Sequence, residues 1–240
     1  MDAISEIIKT MNNTSSSVNP TAIYNEGWMT RMLMYYSVKE KLNFKGIDFT
    51  NKGWTSEALI SSPFVSAKSN REGYTHPDIA IGDFKIDYSV SGKLDIKDAN
   101  EFGIIEAKMK SPLSRGTKNA KDFNQASRNV ACIAHNTTEE CNTFFYIVLP
   151  ESKRNHKKRD GTTIIDLVNR DTIRKQITER IKSHNNTNQD QLDDNLIERA
   201  KQCKVDVFTY EEWIKAFNDI KIKEELNEFY NNCKIHNKIK

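Results

Sequence analysis

The chain has 240 residues, 37% of them hydrophobic and 29% charged, with 36 Lys and Arg against 33 Asp and Glu for a net charge of +3. That balance is too apolar for wholesale disorder and too polar for a membrane protein, and the longest purely apolar run, residues 144–149, is far short of a bilayer span. Cys132, Cys141, Cys203 and Cys233 lack metal-type spacing and read as free thiols of a reducing compartment; with no basic-plus-apolar leader at Met1, a cytoplasmic protein with no membrane partner is expected.

Residues 1–19 hold a polar Asn-Asn-Thr-Ser-Ser-Ser stretch and are expected to be a flexible N-terminal segment. Thr21 caps a helix expected to run to Leu42, with Met29, Met32, Leu33 and Tyr36 on its apolar stripe. A turn region with Gly46 and Gly53 follows, then a short strand at residues 58–60 and a polar loop at 63–75. Residues 78–82 and 102–108 alternate apolar and polar positions and read as strands, with a third at 84–90 turned by Ser91-Gly92-Lys93. Residues 117–135 read as a helix with Ala120, Phe123, Val130, Ala131 and Ala134 on one face. Residues 143–149 form a fully buried strand ended by Pro150. A basic loop at 153–159 leads to helices at 170–183 and 191–203, separated by the polar linker 184–189. A short strand at 205–208 and a helix at 210–230 end the chain. The order α–β–β–β–α–β predicts a mixed α/β sheet in a single domain over 20–240, with a core at 20–150 and a mostly helical extension at 151–240.

The chemistry concentrates on the strand around Ile104. Side chains alternate faces along a strand, so Glu106 and Lys108 share one face. A carboxylate and an ammonium on a central strand are costly to bury unless they are paired or bind something. Pro77-Asp78 places another carboxylate at the start of the 78–82 strand. If the two strands neighbour each other, Asp78 and Glu106 converge. Two hard oxygen ligands completed by water are the usual holding for Mg²⁺. Lys108, Lys110, Arg115, Lys118, Lys121 and Arg128 stand against Asp122 alone over residues 108–128, so phosphate is the simplest substrate class. Asp83, in the Gly82-Asp83 turn, is the next acid in line.

His76-Pro77-Asp78 followed by Glu106-Ala107-Lys108 resembles the signature of the PD-(D/E)XK nuclease superfamily, over roughly residues 20–150. The resemblance implies a restriction-endonuclease-like αβββαβ core, with C-terminal helices and one extra short strand added. It implies Asp78 and Glu106, with the Ala107 carbonyl, as ligands of Mg²⁺ (Mn²⁺ substituting) and Lys108 as the catalytic lysine. Glu26 and Gln125 match positions from which members complete the site with a first-helix Glu and a polar residue on the second helix. Lys121, Gln125 and Arg128 fall on one expected helical stripe, so Lys121 and Arg128 can face phosphate, as can Lys157, Lys158 and Arg159 of the basic loop. The chain departs from the recombination-exonuclease subgroup, whose Gln-x-x-x-Tyr would put Tyr where Asn129 stands. The function implied is a restriction-like DNA endonuclease in a bacterial defence setting, acting alone or as a homodimer. The alternative is a non-catalytic nucleic-acid-binding or assembly module on the same fold.

Overall fold

The computed structural model describes residues 19–68, 71–116, 119–158, 160–192 and 195–239. Five strands, β1 (Gly53–Thr55), β2 (Ile79–Gly82), β3 (Glu101–Ala107), β4 (Asn142–Leu149) and β5 (Lys204–Thr209), lie side by side in chain order. β2 is antiparallel to both its neighbours, β1 and β3, and β3, β4 and β5 are parallel. The sheet is therefore mixed. The two strands at its centre, β3 and β4, are buried on both faces, as parallel strands covered by helices must be.

Helices cover each face. α1 (Glu26–Lys39) precedes the sheet. α2 (Gln125–Asn136) crosses between β3 and β4, and a short α3 (Glu151–Arg154) follows β4. Next come α4 (Ile164–Val168), α5 (Arg170–Thr187) and α6 (Asn195–Gln202) before β5, then α7 (Tyr210–Ala216) and α8 (Ile220–Asn237). α2 packs on α5 and α6 over one face, where Val130, Ile133 and Ile177 meet Phe102, Ile104 and Phe145. α1, α7 and α8 cover the other, where Met29, Leu33, Trp213 and Leu226 meet Ile105, Ala107 and Phe208. The Trp213 indole N–H donates to Ser37 Oγ at 3.0 Å and ties α7 to α1. β5, α7 and α8 thus complete both the sheet and a helical layer. No helix among the described residues is long and apolar enough to cross a membrane.

Several boundaries differ from the sequence reading, for local reasons. α1 starts at Glu26 and ends at Lys39, because Asn25 takes the cap with its side chain accepting the Trp28 N–H at 3.0 Å, while Thr21 sits in a 3-10 turn. α2 starts at Gln125 because Asn124 caps it, accepting the Ser127 N–H at 2.9 Å; Ala120 and Phe123 reach the core from the preceding turn. The expected turn region contains the edge strand β1, set by long-range pairing with β2. Residues 60–61 pair with 74–75, inside the expected loop. The strand expected at 84–90 does not join the central sheet: it covers Lys85–Asp87, pairs only with residues 93–95, and stops where the Asp87 side chain caps a 3-10 turn. α5 absorbs part of the 184–189 linker. The last expected helix is two, broken where Asp219 caps α8. The expected basic loop begins inside α3. The expected N-terminal segment lies outside the described residues, apart from Asn19.

Gly82 decides how β2 meets β3. Its φ is +130°, and an added Cβ would lie 2.1 Å from the Glu101 carbonyl oxygen. Only glycine permits that approach, which fixes the register that follows.

Candidate functional site

The register of β2 on β3 builds the site. Ile79 pairs with Ile105, Ala80 with Ile104 and Ile81 with Gly103. One step further along the same antiparallel register sets Asp78 opposite Glu106, at the end of β2 and the carboxyl end of β3. In open α/β sheets, ligands gather outside the carboxyl ends of strands. The Ala107 N–H donates to Asp78 Oδ2 at 2.8 Å, so the aspartate is pinned to the backbone of the Glu-Ala-Lys segment.

Glu106 is almost fully buried, and its carboxylate accepts hydrogen bonds from three side chains. Lys108 Nζ donates to Oε1 at 2.7 Å. The Gln125 amide also donates to Oε1, and the Asn129 amide donates to Oε2 at 3.2 Å. Thr75 Oγ1 in turn donates to Asn129 Oδ1 at 2.5 Å, which leaves the Asn129 NH₂ facing the glutamate. Burial pushes the Glu106 pKa up, to about 7, with the Asp78 carboxylate raising it further and Lys108 opposing. Glu26 arrives from the other helical layer. Its carboxylate accepts the Met109 N–H at 2.8 Å. Burial raises its pKa too, while Met109 and Lys108 hold it down and Asp78 adds to the rise.

Glu26, Asp78 and Glu106 therefore share one electrostatic neighbourhood with Lys108. Like charges directly opposite on paired strands are destabilising unless something lies between them. Among the described residues no group of three His, Cys, Asp or Glu side chains is arranged to hold a metal ion. A divalent cation here would rest on Asp78, Glu106, a backbone carbonyl and water, which is how Mg²⁺ is commonly held. That hard-oxygen donor set, with two carboxylates in contact, fits such an ion.

Beside this cluster lies a cavity of about 1110 Å³. Lys108 stands on its wall, together with Lys110, Arg115, Lys153, Lys157, Lys158, Lys238 and His156, and among the described residues no acidic side chain lines it. The crowding shows in the titration of its lysines. Burial lowers the Lys153 pKa and Lys110 lowers it further, against the pull of Glu26; burial and Arg115 lower that of Lys158.

The candidates from the sequence divide as follows. Asp78, Glu106, Lys108, Glu26 and Gln125 come together at the end of β3, around the Ala107 backbone. Lys157 and Lys158 line the cavity. Lys121 is exposed on the turn before α2, so the Lys121–Gln125–Arg128 stripe does not form. Arg128 does not line the cavity either; its Nε is buried, and its charge acts on Cys132. Arg159 lies outside the described residues. Asp83 has a structural task, accepting the backbone N–H groups of Asn100 and Glu101.

Sequence reasoning missed Asn129 and Thr75. The spacing of Asn129, one helical turn after Gln125, was the available signal. It also missed Tyr210, fully buried, whose hydroxyl pKa is raised first by burial and then by Glu26 and Asp78. Thr75→Val is expected to destabilise the fold by about 1–3 kcal/mol, because it leaves the buried Asn129 carbonyl without a donor; Thr75→Ser should recover most of that in urea denaturation.

No family model, curated protein or solved structure matches the chain. The chemistry of the site therefore stands on its own residues.

Proposed function

We propose that this protein is a divalent-metal-dependent nuclease that hydrolyses phosphodiester bonds of DNA on a restriction-endonuclease-like core. The observation that carries the reading is the pair Asp78 and Glu106, set opposite each other on neighbouring strands, with Lys108 bridging Glu106 to a cavity whose charged lining, among the described residues, is basic. Counting the strands of the central sheet alone, the order α1–β1–β2–β3–α2–β4 adds support, since it is the element order the PD-(D/E)XK resemblance implies.

In this reading Asp78, Glu106 and the Ala107 carbonyl hold Mg²⁺ or Mn²⁺. When bound, the ion supplies Lewis-acid activation of water and charge neutralisation at a phosphoryl oxygen. The chain's own groups do the rest. Lys108 Nζ, held 2.7 Å from Glu106, is placed to donate to the attacking water or to the developing negative charge. Gln125 and Asn129 fix the Glu106 carboxylate by donating to Oε1 and Oε2. Glu26 braces the segment after β3 through Met109. The basic cavity wall holds the phosphates that flank the cut.

The test is cleavage of labelled DNA by the purified protein. Cutting is expected with Mg²⁺ or Mn²⁺ and none in EDTA. Undiminished cutting in EDTA would remove the metal from the mechanism. Binding without cutting under every metal condition would favour the assembly-module reading.

A further inference from the structure

We infer that the basic cavity beside Lys108 is a channel for single-stranded nucleic acid, so that the substrate presented to the carboxylates is an unpaired strand. The inference rests on the nuclease reading and narrows its substrate.

The cavity has two long walls. Residues 110–115, which follow β3, form one, and residues 152–158, which follow β4, form the other; residues 237–239 close a third side. Two links cross between the long walls. Lys153 Nζ donates to the Lys110 carbonyl at 2.7 Å, and Arg115 is ion-paired with Asp160, just beyond Lys158. These two side-chain links hold the walls together and oppose the opening that a duplex would require. At about 1110 Å³ the space slightly exceeds the roughly 300–1,000 Å³ of small-ligand sites, which suits a few unpaired nucleotides.

The lining chemistry agrees. Between the lysines the lining includes the half-buried Ile164 and Ile239, with Leu113 and Leu149 buried among them. A duplex hides its base faces in the stack and offers phosphates to a protein, so apolar side chains would meet nothing suitable. An unpaired strand offers both, with phosphates for the rim and base faces for the floor. Among the described residues no Phe, Tyr or Trp lines the cavity, so affinity comes mainly from charge and depends steeply on salt. Lys108 belongs to both the cavity wall and the carboxylate cluster, so a strand lying in the channel ends its path at Asp78 and Glu106.

The experiment compares fluorescence anisotropy of labelled oligothymidylate and of a blunt duplex of equal length, in EDTA to prevent cutting. The single strand is expected to bind at least about tenfold more tightly. Two variants outside the carboxylate cluster sharpen the test. Asp160→Ser removes the ionic link yet keeps an acceptor for the Thr162 N–H, and it leaves every channel cation in place. It is expected to narrow the preference by letting the walls part. Ile239→Gln is expected to weaken single-strand binding several-fold and leave the duplex nearly unchanged. Duplex bound as tightly as single strand by the wild type, with metal-dependent cutting intact, would overturn this inference alone. So would an unchanged ratio in both variants. Neither strand bound nor cut would overturn it together with the nuclease reading.

Discussion

Glu106→Gln is expected to lower metal-dependent DNA cleavage by about 1,000-fold or more while leaving a folded protein. The rate effect follows from removing a charged ligand, since the ion's charge stabilisation is worth several kcal/mol and each 1.36 kcal/mol is tenfold. Glutamine is the informative substitution. It keeps one oxygen for Lys108 and Gln125, which both donate to Oε1, while its NH₂ takes the place of Oε2 opposite the Asn129 amide. Alanine would strand Lys108 in a buried site, with a cost of about 3–5 kcal/mol that would confuse stability with chemistry. Burial already favours the neutral form of Glu106, so the cost of the amide is confined to the one lost acceptor for Asn129, about 1–3 kcal/mol. The measurements are single-turnover cleavage and urea denaturation on the same preparation. Activity within tenfold of wild type would remove Glu106 from the mechanism.

Gly82→Ala is expected to destabilise the fold by roughly 3–5 kcal/mol, a large part of a typical domain's stability of about 5–15 kcal/mol. Two costs combine. A non-glycine residue at φ +130° costs about 1–3 kcal/mol, and a Cβ placed 2.1 Å from the Glu101 carbonyl oxygen adds overpacking of similar size. The atom it meets is backbone, so no side chain can swing away. Relief requires β2 to shift along β3, which would also part Asp78 from Glu106. The expected result is a lower urea midpoint together with lost metal-dependent cleavage. A midpoint within experimental error of wild type would show that the β2–β3 contact is looser than described.

How much of this was legible in the sequence depends on the range of the interaction. Alternation put Glu106 and Lys108 on one face, and apolar runs marked β3 and β4 as central, because both signals are local. The convergence of Asp78 with Glu106 hung on a condition, that the two strands be neighbours, and only the Ile79–Ile105 register supplies it. β1 was lost because three residues carry no periodicity of their own and are held by pairing alone. The start of α2 was misread because Ala120 and Phe123 imitate a helical face while belonging to a turn. The cap at Asn124 was visible, but it competed with an apolar pattern running through it. The cavity was half legible. Its lysines near residues 110 and 157 stood out as clusters, whereas Lys238 and Ile239 join them only through the packing of α8 against α1.

Mn²⁺ binding to wild type and to Asp78→Asn, measured by isothermal titration calorimetry, tests the central claim most directly. It asks whether the two opposed carboxylates hold a divalent ion, with no DNA present. A single class of sites is expected in the wild type, with affinity reduced at least tenfold in Asp78→Asn, since a hard cation loses one of its two charged ligands. Equal binding by the two proteins, or no binding by the wild type, would contradict it.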